Sequence, residues 1–334
     1  MTAVLAGQLR DYLQSCLGET IAITDLRRLA GGASHETWAF DLVHGSGARE
    51  ITPLVLRRDF VAGLLAPSLA QEYALLEHLH AQNLPVPRPR WCVTEESPLA
   101  TPFMILERVT GDDIRKVLAE PAQVTDRQTL GRTLVRTQAT LHQVNLAPKL
   151  MHILRAADPP GAAREVARWA AVIDRDHDSA EPLLTAALGW LRTHLPTPSQ
   201  LTLVHGDYKT NNLIFSDEGA VILDWEMAHL GDPLEDLAWT MLWTTEYDLV
   251  GGLLSADDYL AAYTAETGLE VEPTCLFFWQ LFSLVKLAAI FVSSARQGTR
   301  IGHPRPLLAM RGRALPWLET AIAERLTASM RQAV

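Results

Sequence analysis

Apolar and polar positions change rhythm near residue 110. Before it, short β-like runs at residues 21–29, 36–43, 51–57 and 103–108 alternate with turn residues, among them Gly31-Gly32. The His-Gly-Ser-Gly segment at residues 44–47 reads as a hairpin connection between two of these runs. One helix interrupts the region: Ser68 and Gln71 make a capping-box pattern, and Leu69, Tyr73, Leu76 and Leu79 form an apolar stripe. Pro85, Pro87 and Pro89 end it and predict an extended course. After residue 110 the rhythm is helical. Thr125 and Gln128 repeat the capping-box pattern, and Leu130, Leu134 and Leu141 recur at helical spacing. Residues 164–192, 256–267, 276–296 and 313–330 also read as helices, and one β-like island covers residues 201–225. The pattern predicts an α+β bilobal architecture, with a small mixed lobe of residues 1–109 and a helical lobe of residues 110–334 that carries an inserted β-hairpin.

Composition narrows the class. A chain of 334 residues that is 48% hydrophobic and 20% charged holds enough apolar material for a sizeable core. Its 29 Lys+Arg against 39 Asp+Glu leave a formal net charge of −10. That balance argues against a partner bound by phosphate neutralisation, whether nucleic acid or an anionic membrane surface. Cys16, Cys92 and Cys275 are widely spaced and form no Cys-x-x-Cys, which excludes a disulfide scaffold and structural zinc. Arg10 and Asp11 stand where a secretory signal needs an apolar run. The most apolar stretch, residues 276–292, is interrupted by Gln280, Ser283 and Lys286 and reads as a buried helix. These features predict a cytoplasmic protein with neither a membrane nor a nucleic-acid partner.

The chemistry gathers in residues 201–239, LTLVHGDYKTNNLIFSDEGAVILDWEMAHLGDPLEDLAW. Apolar runs at 213–215 and 220–223 flank the turn Ser216-Asp217-Glu218-Gly219. Folding them as a hairpin brings Asn212 and Asp224 to its open end, where opposed residues sit ~5 Å apart. Asp207 lies on the loop just before. Magnesium takes hard oxygen ligands, so Asn212 and Asp224 suit it. Asp207 is then placed to accept a proton from an attacking hydroxyl, and Lys209 to neutralise charge on a moving phosphoryl group.

His-x-Asp-x4-Asn, followed a dozen residues later by an Asp after a β-hairpin, is the catalytic signature of the protein-kinase-like fold. The form here, HGDYKTNN…ILDWE…GDPLEDLAW, resembles the aminoglycoside phosphotransferase and choline kinase family. Within it, the chain looks most like the bacterial branch related to the kinase-like domain fused to acyl-CoA dehydrogenases. The resemblance implies a bilobal protein-kinase-like fold and an ATP- and magnesium-dependent kinase that phosphorylates a hydroxylated small molecule. It implies Asp207 as catalytic base, Asn212 and Asp224 as magnesium ligands, and His205 as the residue that orients the catalytic loop. Asp236 would hydrogen-bond that loop from below, and Glu226 would support the metal.

In the N-terminal half the resemblance puts Gly31, Gly32 and Ser34 in the loop that covers the phosphates. Arg57 takes the place of the family's nucleotide-binding Lys, keeping the charge but adding a planar fork. Val55 shares its strand face and would meet the adenine. Glu72 would pair with Arg57, and Glu107 to Val109 would form the hinge along the adenine edge. Acceptors across the family include aminoglycosides, macrolides, choline, sugars and hydroxyacyl thioesters, and nothing in this chain selects one. Two alternatives stay open: a protein kinase, although no APE segment follows Asp224, and a nucleotide-binding scaffold, which Arg57 leaves alive. Lys286 reads as a snorkelling side chain or an acceptor contact, and Asp232, Glu235 and Asp236 as acids that favour a helix start. Trp239 and Trp243 read as core.

Overall fold

Alternating apolar residues fold strands β1 (Ala22–Arg28), β2 (His35–His44) and β3 (Glu50–Asp59) into an antiparallel sheet. β4 (Pro89–Val93) and β5 (Phe103–Glu107) complete it in the order β1-β2-β3-β5-β4. The computed structural model describes residues 2–29, 35–45, 49–59, 69–119, 127–154, 161–176, 181–198, 200–216, 218–243, 253–300 and 315–332. β2 and β3 pair without a break from His35 opposite Asp59 to His44 opposite Glu50. Helix α1 (Thr2–Leu17) lays Leu5, Leu9 and Leu13 on one sheet face, against Trp38, Phe40, Leu54, Leu56 and Phe103. Leu54 and Leu56 point into that core, so Val55 and Arg57 occupy the opposite face. Helix α2 (Leu69–Ala81) buries Leu69, Leu75, Leu76 and Leu79 together with Glu72.

Two of these elements exceed the sequence expectations. α1 carries only one apolar residue per turn on its buried face, a narrow stripe beside the terminus. β4 begins at Pro89 and lies at the sheet edge, where a missing N–H is tolerated.

The rest of the chain contributes α3 (Ile114–Ala119), α4 (Arg127–His142), α5 (Pro148–Leu154), α6 (Ala162–Asp176) and α7 (Pro182–Thr193). β6 (Thr202–Val204), β7 (Leu213–Ser216), β8 (Gly219–Ile222) and β9 (His229–Gly231) follow. α8 (Pro233–Leu242), α9 (Ala256–Thr267), α10 (Pro273–Arg300) and α11 (Leu315–Gln332) close the order. The helix expected over 164–192 is two helices, because Pro182 starts the second one. β9, three residues paired with β6, is too short to show a period. α10 packs against α6, α7, α8 and α11. Its Pro273–Ser294 segment is long and apolar enough to cross a membrane, but 72% of an 18-residue apolar stretch within it is buried inside the fold. It is the buried helix that its interrupting polar residues predict.

The fold is α+β and bilobal, with a small β-rich lobe and a larger helical one. Its backbone groups into two compact units, residues 1–124, 144–153 and 210–228 in one and 125–143, 154–209 and 229–334 in the other. The β7–β8 hairpin therefore groups with the N-terminal unit, although the sequence division near residue 110 counts it with the helices. Asp112 and Phe215 exchange two backbone hydrogen bonds of 2.9 Å, and the Ile222 N–H donates to the Pro85 carbonyl at 2.8 Å. Gly111 permits this approach at φ +141°, where a Cβ would collide with the Phe215 carbonyl and sit 2.7 Å from Ile214 Cγ2. Gly111→Ala is expected to lower stability by about 2–4 kcal/mol in urea titration. An unchanged midpoint would show that the junction tolerates the side chain.

Candidate active site

β6 runs into residues 205–209, and a buried carboxylate shapes that loop. Asp236, in the first turn of α8, accepts the His205 N–H on Oδ2 at 2.7 Å and the Gly206 N–H on Oδ1 at 2.8 Å. His142 Nε2 lies 3.1 Å from the same Oδ2. Burial alone would raise the Asp236 pKa, but the bond and charge of His142, with His205, hold it below the ordinary value. Gly206 turns the chain at φ +80°, a region that glycine enters without strain. The Asp207 N–H donates to His205 Nδ1 at 3.1 Å. On the Asp207 carboxylate, Oδ1 accepts the Trp239 indole N–H at 2.8 Å and lies 2.9 Å from Lys209 Nζ. The Lys209 ammonium also sits 4.9 Å from the Trp243 ring centroid.

The acids of α8 do more than favour a helix start. Asp232 caps the helix, accepting the Leu234 N–H at 2.9 Å, and accepts the Trp279 indole N–H on its other oxygen. Glu235 is buried between Lys286 Nζ at 3.0 Å and His229 Nε2 at 3.1 Å. The expectation for Lys286 is corrected here: it is 1% exposed, its ammonium matched inside the helical unit and not carried to solvent. Among the described residues, Glu165, His229 and Glu235 are the trio whose donor atoms approach closely enough for a metal ion. Lys286, Arg164 and Arg168 already supply positive charge to those carboxylates, so the cluster is balanced as an ion-pair network.

The N-terminal unit holds the second group of residues. Arg57 Nη1 donates to Glu72 Oε1 at 2.5 Å, and Nη2 donates to Asp224 Oδ1 at 3.0 Å. Burial alone would lower the Arg57 pKa, yet Glu72, Asp224 and Glu226 together raise it. Arg58, on the other face, pairs with its cross-strand neighbour Glu36. This register puts Arg57 and half-buried Val55 on the same face. His35 Nδ1 lies 3.4 Å from Glu226 Oε2 and 3.3 Å from Arg57 Nη2.

At the open end of the β7–β8 hairpin, the Leu223 N–H donates to the Asn212 carbonyl at 2.8 Å, and Leu213 stands opposite Ile222. Asn212 precedes β7 and Asp224 follows β8, in one register. Asp224 has φ +65°, a left-handed conformation that a short polar side chain tolerates. An amide oxygen and a carboxylate are hard donors, which fits magnesium. In the expected hinge, the Glu107 and Arg108 N–H groups already donate to Arg88 and Pro53 carbonyls, while Val109 follows half-buried. The Glu107 carboxylate pairs with Arg90. Gly31, Gly32 and Ser34 lie outside the described residues.

Three contributors escape sequence reasoning: Trp239, which holds the Asp207 carboxylate, His35 and Lys286. For Trp239 a signal exists, since it follows Glu235 by one helical turn and so shares its face. For the other two, nothing in the local pattern marks the partner.

Residues 25–273 match the family described as Phosphotransferase enzyme family. Mouse acyl-CoA dehydrogenase family member 10 is 26% identical over 309 residues, spanning 86% of this chain and 28% of that protein. Rat acyl-CoA dehydrogenase family member 11 is 25% identical over 305 residues, spanning 86% of this chain and 38% of the relative. The chain thus covers about a third of the length of these curated relatives. Among solved structures, a Ralstonia eutropha protein provisionally named an aminoglycoside phosphotransferase superposes with a TM-score of 0.71 at 20% identity, covering 96% of this chain and 98% of that one. Choline kinase from Cryptosporidium parvum gives a TM-score of 0.60 at 11% identity, covering 92% of this chain and 90% of that one. These likenesses establish the protein-kinase-like fold.

The buried network makes acid stability measurable. Burial pushes the Glu235 pKa up, but Lys286 and His229 outweigh it and bring it from 4.5 to about 2. As pH falls, the unfolded chain takes up this proton before the folded one does. The stabilisation is therefore complete above 4.5 and is lost as pH drops toward about 2. Glu235→Gln is expected to show a shallower loss of stability than the parent across that window in urea unfolding. Parallel curves would mean that Glu235 has the same proton affinity in both states.

Proposed function

The chain belongs to the phosphotransferase enzyme family, enzymes that move phosphate onto a small-molecule hydroxyl, and on that premise we propose how its residues divide the reaction. The donor is ATP with magnesium, and the acceptor is a hydroxylated small molecule. Residues 1–109 serve the nucleotide, and residues 110–334 supply the catalytic loop, the metal ligands and the acceptor pocket, with a cytoplasmic location. The observation that carries the reading is the Arg57 guanidinium, which bridges Glu72 and Asp224. One side chain thereby joins the expected nucleotide contact to an expected metal ligand, as a site for a metal-nucleotide complex requires.

In this reading Asp207 takes the proton from the acceptor hydroxyl as that oxygen bonds to the γ-phosphorus and the bond to the β-phosphate oxygen breaks. The Trp239 N–H and the Lys209 ammonium keep the carboxylate oriented before the transfer. Lys209 is also near enough to Asp207 to offset charge on the moving phosphoryl group. Asn212 and Asp224 would hold magnesium, which when bound neutralises phosphate charge. Arg57 contacts the phosphates, with Glu72 fixing its fork, and Glu226 steadies the metal-ligand end of the hairpin through His35. Gly31, Gly32 and Ser34 cover the phosphates, Val55 packs on the adenine, and the Glu107 to Val109 backbone meets its edge. The transition state of phosphoryl transfer is loose, so positioning and charge neutralisation supply most of the acceleration.

Purified protein is to be incubated with Mg-ATP and a panel of choline, an aminoglycoside, a sugar and a hydroxyacyl thioester, with product mass as the readout. One panel member is expected to gain the mass of a phosphoryl group. Asp207→Asn is expected to lower that turnover by roughly 10³-fold while calorimetric Mg-ATP affinity stays near the parent's. Turnover retained in that variant would remove Asp207 as the base. Asp224→Ala is expected to weaken Mg-ATP binding by roughly tenfold or more. Undiminished affinity would remove Asp224 from the metal site.

A further inference from the structure

We propose that Lys286 is a positioning residue for Asp207, acting through the Gly206 carbonyl and the Trp239 indole, an inference that rests on Asp207 being the base. Lys286 lies mid-way along α10 among Phe282, Val285 and Ala289, all buried. An ammonium there is expensive unless its donors are matched. Nζ donates to the Gly206 carbonyl at 2.6 Å and to Glu235 Oε1 at 3.0 Å, and it lies 4.8 Å from the Trp239 ring centroid. The last contact is within cation–π range.

The Gly206 carbonyl belongs to the peptide whose nitrogen is that of Asp207. That N–H donates to His205 Nδ1, so the oxygen and the hydrogen of one planar unit are both held. The direction in which the Asp207 side chain leaves the backbone is thereby set. Farther out, the carboxylate is held by the Trp239 indole N–H, and that same indole faces the Lys286 ammonium. Lys286 therefore contacts both supports of Asp207. Glu235, one turn before Trp239 on α8, neutralises it, with His229 behind. A buried ion pair adds little net stability over apolar residues of similar volume, so the gain lies in the fixed geometry of the loop.

The test uses the full chain with two substitutions together, Lys286→Met and Glu235→Gln, which remove the ammonium and its counter-charge at once. Amide exchange is followed along the chain, with the 15N resonance of the Trp239 indole, identified by its loss in Trp239→Phe. Exchange at residues 205–207 is expected to rise by roughly 10- to 100-fold, the factor carried by a hydrogen bond to a charged group. The indole resonance is expected to move, while exchange in β2, β3 and α9 holds. Once the panel has identified an acceptor, kcat is expected to fall by a similar factor with the KM for Mg-ATP unchanged. Unaltered exchange at 205–207 with an unmoved indole resonance overturns the proposal, and so does a uniform rise along the whole chain. Lys286→Arg guards against failure to fold, because it keeps the charge opposite Glu235. Its planar head cannot reproduce the ammonium contacts, so the same local changes are expected, and their absence overturns the proposal equally. Turnover retained by Asp207→Asn would instead sink the base assignment and leave these exchange results standing.

Discussion

The hydrogen bonds from the His205 and Gly206 backbone to the buried carboxylate of Asp236 are the constraint on which the helical unit's chemistry depends. They are charge-assisted, sit away from water, and engage both oxygens of one side chain. Breaking one would leave a buried charge or amide unmatched, so the loop has one low-energy path. The position of Asp207 follows from that path, because its own N–H folds back onto His205 and its carboxylate meets Trp239. Positioning, more than any single reactive group, is what phosphoryl transfer asks of a protein.

In the N-terminal unit the corresponding constraint is Arg57. A lysine at this position has one compact head, whereas the guanidinium reaches two carboxylates in fixed directions. Here one nitrogen engages Glu72 on α2 and another engages Asp224 after β8, so strand, helix and hairpin share one cation. Arginine at this position thus has a visible physical consequence, a fork where a lysine would place a point charge. The same geometry distinguishes Arg57 from Arg58, whose charge is absorbed by Glu36 across the hairpin.

Much of the fold was legible because its signals are local. Strand alternation around residues 36–57, the leucine spacing of α4 and the run of α9 are periodic within one element. Pro182 divides a continuous helical text, and β9 is shorter than any period, so those expectations failed at boundaries and at small pieces. Lys286 failed for a different reason. A lysine in an apolar helix reads as snorkelling unless a carboxylate and a carbonyl from distant segments are known to await it.

By itself the sequence determined the kinds of groups present and their local order. It set Asp207 five residues before Asn212, placed Val55 and Arg57 on one strand face, and placed Asn212 and Asp224 at the ends of a tight hairpin. Tertiary structure alone decided which distant groups meet: Trp239 with Asp207 across 32 residues, Lys286 with Glu235 across 51, and Arg57 with Asp224 across 167. The physical reason is that helix and strand periods follow from backbone geometry and show in a short window of sequence. Contacts between remote segments arise from packing and charge matching, which leave no period along the chain.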